Sequence, residues 1–299
     1  MAELLIGTDD GLHVLGGTDA RALGGRAVAA LAADASSVWA VVDGDRVFSA
    51  RDGSDWQEVA SLGGGRATCL LPTPVGLLVG ASEARLFALT EGALEPIESF
   101  DEVEGRDAWY TPWGGPPATR SLSQDDAVTL YVNVHVGGIP RSRDGGRTWE
   151  PTIDIDADVH EVLAWRPEGR VLAAAARGLG VSDDGGETWR FRTRGLHATY
   201  LRAVAVSSET VFVSASEGPR GRRAAVYRGS AYGEEPFERC GGGLPEWFSG
   251  NIDTNCLDAS PEIVAFGTQE GSVFVSDDDG DSWRAAAQDL GAVRCLLLR

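Results

Sequence analysis

The 299-residue chain carries 26 basic and 45 acidic side chains, a formal net charge of -19, and 43% hydrophobic against 24% charged residues. This is a globular composition, and its acidic excess, with arginine as the sole cation and no lysine at all, excludes a general affinity for nucleic acid or an anionic membrane. No run of about 18 apolar residues is present, so no spanning helix is expected, and the opening MAELLIGTDDG lacks the basic and apolar regions of a secretion signal, which points to a cytoplasmic protein.

Taken in chain order, one unit recurs seven times: an aliphatic run, a short polar turn and a second apolar run. The copies read ELLIGTDDGLHVL (3–15), SVWAVVDGDRVFSA (37–50), GLLVGASEARLFAL (76–89), TLYVNVHVGGIPRS (129–142), RVLAAAARGLGVSD (170–183), TVFVSASEGPRGRRAAVYRG (210–229) and EIVAFGTQEGSVFVSD (262–277). Most are preceded by another apolar run such as RAVAAL, RATCLL, HEVLAW or LRAVAV. A spacing of roughly 43 residues suits a four-stranded propeller blade. The expectation is therefore an all-β chain: a seven-bladed β-propeller of four-stranded antiparallel blades, forming one domain over residues 1–299. The first unit lacks its opening strand and the last is followed by a surplus AVRCLLL at 292–298. Val293 to Leu298 is expected to become the innermost strand of the blade begun by Leu4 to Gly7, closing the ring without an open edge.

An octapeptide follows three of the units: SRDGGRTW (142–149), SDDGGETW (182–189) and SDDDGDSW (276–283), all of the form Ser-x-Asp-x-Gly-x-x-Trp. A weaker copy, SARDGSDW (49–56), has Arg51 in place of the Asp and Asp52 one position on. In this pattern the chain resembles the Asp-box, or BNR-repeat, propellers, a group that includes sialidases, sortilin-type receptors and photosystem II assembly factors. The resemblance spans nearly the whole chain and implies a structural role for the motif. Asp144, Asp184 and Asp278 would accept backbone N–H bonds inside a tight hairpin, the Gly would take a positive φ, and the Trp would pack between blades. It also implies that these turns lie opposite the ligand-bearing face.

The four cysteines, Cys69, Cys240, Cys256 and Cys295, have no CxxC spacing, and three sit in apolar runs, so buried free thiols are expected. On the face away from the octapeptides, the seven inner strands open at equivalent positions with Arg26, Arg66, Arg120, His160, Arg202, Asn255 and Arg294. Guanidinium forks suit carboxylate or phosphate, so these residues are candidates for an anion-binding cluster. The alternative is that each Arg pairs with a nearby carboxylate among Asp9, Asp10, Asp43, Glu83, Glu161 and Asp253. Three of the four histidines, His135, His160 and His197, fall on the same rim and are candidate ligands for a divalent transition metal, with His160 and His135 also candidate acid–base groups. His13 lies in a strand and reads as structural. Two long loops, 101–119 and 243–255, bring Trp109, Tyr110, Trp113 and Trp247 as candidate pocket walls, and the insertion at 217–223 brings Arg220, Arg222 and Arg223.

Three functions fit these residues. The first is a binding propeller whose Arg- and His-lined pocket takes an anionic small molecule or a partner protein segment. The second is a metal-assisted lyase or hydrolase using His135, His160 and His197, similar to seven-bladed antibiotic-inactivating lyases. The third, a sialidase-type glycosidase, is opposed by the missing early Phe-Arg-Ile-Pro signature and by the lack of an identifiable Tyr–Glu nucleophile pair.

Overall fold

The computed structural model describes residues 3–16, 20–51, 53–74, 76–125, 128–165 and 169–299. They form an all-β seven-bladed propeller of four-stranded antiparallel sheets. Six sheets run in simple chain order from first strands that begin at Val28, Ala67, Thr119, Val159, Tyr200 and Leu257. The remaining sheet has the order Val293–Leu298, Leu4–Thr8, Gly11–Leu15, Ala20–Ala22. The C-terminal strand thus completes the N-terminal blade, pairing Leu4 with Leu298 and Ile6 with Leu296.

The contact at that seam explains a glycine. A Cβ on Gly7 would lie 2.4 Å from Cys295 Sγ and 2.9 Å from Val28 Cγ1, so the absent side chain makes the space that the thiol fills. The same arrangement recurs where a Cβ on Gly80 would meet Cys69 Sγ at 2.4 Å. All four cysteines are free and buried, and burial pushes the thiols of Cys69, Cys240 and Cys295 up to about 12, which leaves them inert small hydrophobes.

Contacts divide the chain into two compact units. The first comprises Met1–Val28, Ala174–Gly180 and Phe191–Arg299. Its core is centred on Phe266, which stacks on Phe274 at 5.2 Å and meets Phe248 and Trp283 edge-on at 5.4 and 5.1 Å. The second comprises Ala29–Ala173 and Val181–Arg190. One of its clusters is built on Val41, Val47 and Val79, another on Leu86, Phe100, Val132 and Val134.

Hydroxyls tie neighbouring blades together inside each unit. In the second, Ser121 and Ser123 accept from the backbone N–H groups of Val162 and Ala164 at 2.9 and 2.8 Å; in the first, Thr254 donates to the carbonyl of Arg202 at 3.2 Å. Ser121 and Ser123 thus stand in a strand where they satisfy backbone groups of the next blade.

The three octapeptides fold alike. Asp144 accepts from the Thr148 N–H at 2.9 Å and the Thr148 hydroxyl at 2.7 Å; Asp184 accepts from the same two groups of Thr188 at 2.9 and 2.6 Å; Asp278 accepts from those of Ser282 at 2.9 and 2.5 Å. The leading Ser accepts from the glycine N–H at 2.7 to 2.9 Å, and that glycine has a φ of 85 to 96°, which excludes a side chain at low cost. Each indole donates back to the same glycine's carbonyl at 3.2 Å. Trp149 then meets Phe100 edge-on at 5.0 Å, and Trp283 meets Phe212 at 6.4 Å. In the weaker copy Trp56 keeps the indole bond, to Gly53 at 3.1 Å, while Asp52 lies outside the described residues.

These carboxylates give the fold an acid limit. The Thr148 and Ser282 hydroxyl bonds, with the backbone N–H bonds beside them, hold the Asp144 and Asp278 carboxyls down at about 2, and the Thr188 bonds hold Asp184 well below its ordinary value. A carboxyl depressed in the folded state stabilises fully above its unfolded pKa near 4, and the contribution is lost as pH falls through the folded value. The thermal midpoint is therefore expected to fall steeply between pH 4 and pH 2. An Asp144→Asn, Asp184→Asn, Asp278→Asn triple variant is expected to melt lower at neutral pH and to show a flatter acid slope by calorimetry; parallel slopes would refute the assignment.

A buried arginine links two of these turns within the second unit. Arg141, 2% exposed, donates to the Gly185 carbonyl and pairs with Glu150 at 2.6 Å and Glu187 at 2.9 Å. Tyr131 donates to the same carbonyl at 3.1 Å.

Candidate functional site

In the second unit, the end of the propeller away from the octapeptides collects a polar cluster. His135 follows directly on the strand Leu130–Val134 and is fixed by its N–H, which donates to the Ala118 carbonyl at 3.0 Å. The tight turn after it holds Val136 at a φ of 51°. A Cβ on Gly137 would sit 2.4 Å from Val134 Cγ1 and 3.0 Å from the Trp109 ring, so the loop above closes down on a side-chain-free backbone.

Asp158 ends the short 3-10 helix Ile155–Ala157, at a φ of 52° and with its N–H on the Ile155 carbonyl. His160 is the second residue of the strand Val159–Trp165. Asp158 and His160 are two residues apart, one at the helix end and the other in the strand that follows. His135 Nε2 lies 3.1 Å from Asp158 Oδ1 and His160 Nε2 lies 3.6 Å from it. The two imidazoles, with centroids 5.8 Å apart, are 2% and 0% exposed. Burial alone would raise the Asp158 carboxyl, but the hydrogen bond from His135 and the charges of His160, His135 and Arg120 outweigh it and hold the carboxyl below its ordinary value.

An aromatic loop covers this cluster. Trp113, 65% exposed, stacks on His135 at 5.0 Å and 27°, and Tyr110, 45% exposed, reaches Asp156 at 3.5 Å through its hydroxyl. Trp109 serves the scaffold, packed on Phe100 at 6.0 Å under the Arg106 guanidinium at 4.7 Å. Arg120 is half-buried at the start of its strand and Arg66 is exposed.

The remaining candidates lie in the first unit. Arg202 pairs with Asp253 at 2.9 Å and lies over the Tyr200 ring at 5.4 Å. Arg294 makes a bidentate pair with Asp9, both bonds 2.7 Å. Arg26 is half-buried, and Asn255, at a φ of 61°, uses its carbonyl to accept from the Leu296 N–H at 2.7 Å. Arg202 and Arg294 therefore have carboxylate partners that the sequence also offered.

His197 has neighbours of another kind. Its Nδ1 lies 2.8 Å from the Tyr227 hydroxyl, and its ring packs on Tyr227 at 5.7 Å and Trp247 at 4.7 Å. Trp247 is in turn covered by Arg223 at 4.3 Å and Arg239 at 4.9 Å, which fastens the 217–223 insertion to the 243–255 loop. Burial lowers the His197 pKa. Among the described residues, the group whose ligand atoms lie within 4.8 Å of one another is His135, Asp158 and His160. The acidic member was not among the sequence candidates. The Asp-x-His pair within DADVHEV is the signal it carries in the sequence.

No protein-family model and no curated protein matches the sequence. Solved structures match its fold. The computationally designed Ika8 protein is 18% identical with a TM-score of 0.62, over 99% of this chain and 87% of that one. The WD40 propeller domain of Doa1 is 16% identical with a TM-score of 0.64, over 95% and 85%. YCF48 bound to D1 peptide is 15% identical with a TM-score of 0.60, over 96% and 85%. At such identities the likeness carries the propeller architecture and leaves the chemistry to the side chains of this chain.

Proposed function

We propose that this protein is a binding propeller that takes a carboxylate-bearing segment of a partner protein at the end of the second unit built from His135, His160, Arg120, Tyr110 and Trp113. The observation that carries the reading is Trp113: an indole 65% exposed, seated on a buried imidazole beside a charged cluster. Exposed aromatics and arginines next to a rigid polar centre are the side chains that dominate the energy of peptide and protein recognition. Arg120 adds positive charge beside the cluster, and Trp113 and Tyr110 supply apolar area at small entropic cost. A propeller of the same architecture, YCF48, has been solved with a peptide bound, which supports the class of partner.

Selection from a displayed peptide library against the purified protein is expected to yield binders rich in Asp and Glu. Their affinity is expected to drop at least tenfold in Trp113→Ala and in Arg120→Ala, and to be unchanged in Arg239→Ala. Selected peptides indifferent to Trp113→Ala and Arg120→Ala would move the binding site elsewhere.

A second reading, a metal-assisted lyase or hydrolase, is favoured by one observation: the convergence of His135 and His160 on a single carboxylate oxygen.

A further inference from the structure

We infer that His135, Asp158 and His160 bind one divalent transition-metal ion of the zinc class, through the two Nε2 atoms and a carboxylate oxygen of Asp158. The inference stands on the donors alone and does not require that a partner segment bind.

Donors about 2.0–2.2 Å from a tetrahedral ion stand ~3.3–3.6 Å from one another. The two separations, 3.1 Å from His135 to Asp158 and 3.6 Å from His160 to Asp158, bracket that distance, and the ligand atoms of all three residues lie within 4.8 Å of one another. The longer separation exceeds a normal hydrogen bond yet fits an edge of a coordination tetrahedron. Two neutral imidazoles and one carboxylate are a donor set that zinc, iron(II), cobalt(II) and nickel(II) accept, and magnesium and calcium do not favour.

The scaffold is rigid where a site needs it to be. Asp158 is placed by a left-handed residue at a helix end, His160 by a strand, and His135 by a turn whose backbone is bonded to Ala118. Both imidazoles are buried, whereas Asp158 is half-exposed at its side chain, 26%. Three protein ligands with one side towards solvent leave a fourth position for water or for an incoming carboxylate. His197 is not one of the ligands; the Tyr227 hydroxyl and the Trp247 ring occupy its surroundings.

The test uses full-length protein without a histidine tag, stripped with chelator and titrated with zinc against a chromophoric competitor, and separately with cobalt(II), with no peptide present. One equivalent of zinc should bind at submicromolar affinity, and cobalt should give the intense visible spectrum of a tetrahedral ion. Asp158→Asn, which keeps the side-chain shape, should weaken zinc at least thirtyfold, and His160→Gln more. His197→Ala should bind as the wild type does. Circular dichroism melts verify that the variants are folded. Wild-type protein that takes up less than a stoichiometric ion, or uptake undiminished in folded Asp158→Asn, overturns the inference. Because no peptide is present, either result leaves the partner-binding experiment to be judged by its own variants.

Discussion

A chain that ends at Gly291 is expected to lose its cooperative unfolding transition. Among the described residues, the strand Val293–Leu298 is the partner of Leu4–Thr8 on that side of its sheet, and it buries Val293, Cys295 and Leu296 to between 1% and 5% exposure. Each such side chain contributes about 1.5–3 kcal/mol, and removal also uncovers Leu4, Leu5 and Ile6, now at most 5% exposed, along with a row of unpaired backbone groups. The sum is comparable with the whole stability of about 5–15 kcal/mol expected of a folded domain. Circular dichroism melts and limited proteolysis read the result directly. A synthetic peptide covering 292–299 is expected to restore the transition and a scrambled one is not. A truncated chain that melts within a few degrees of the intact one would show that the seam is dispensable.

The second large effect concerns a single side chain. Arg141→Ala is expected to cost about 2–3 kcal/mol, whereas Arg143→Ala, two residues away and pairing with the same two glutamates, is expected to cost less than about 0.5 kcal/mol. The two arginines differ in solvation: the side chain of Arg141 is 2% exposed and that of Arg143 is 53% exposed. Removing Arg141 deletes charge-assisted bonds to a carbonyl and two carboxylates, each of a kind worth about 1.5–3 kcal/mol before the carboxylates return to water, and leaves a void among packed side chains. Glu150 and Glu187 stay half-exposed, which keeps the loss below that of a stranded buried charge. Urea denaturation of the two variants side by side checks the contrast, and equal losses would contradict it.

Much of this architecture was readable in the amino-acid order because it repeats. The aliphatic run, polar turn and second apolar run recur seven times and so state the blade's own period, and the octapeptide carries its turn geometry in four residue types. The split blade was legible for the same reason, since a missing first strand and a surplus last one are countable. The polar centre was less so. His135 and His160 stand 25 positions apart and meet because adjacent blades bring one strand's end against another's beginning, while Asp158 contributes through a left-handed backbone angle that no composition reveals. The ring of arginines shows the limit from the other side. Alignment places Arg202 and Arg294 at equivalent positions, but whether a guanidinium stays available or meets a carboxylate depends on displacements of an ångström or two, and here Asp253 and Asp9 lie within 3 Å.

The notch at Gly7 makes the seam a lock with one key. Sliding the terminal strand by one residue turns its apolar side outwards, and sliding it by two sets Val293 or Leu297, both broader than a thiol, into the space that the Cys295 thiol fills against Gly7 and Val28. Such a code specifies alignment but not ownership: it cannot distinguish the chain's own tail from that of a second molecule. At high concentration during refolding, two molecules that trade tails satisfy every local requirement equally well, so reciprocal exchange is the misassembly to which this way of fastening the ring is intrinsically exposed.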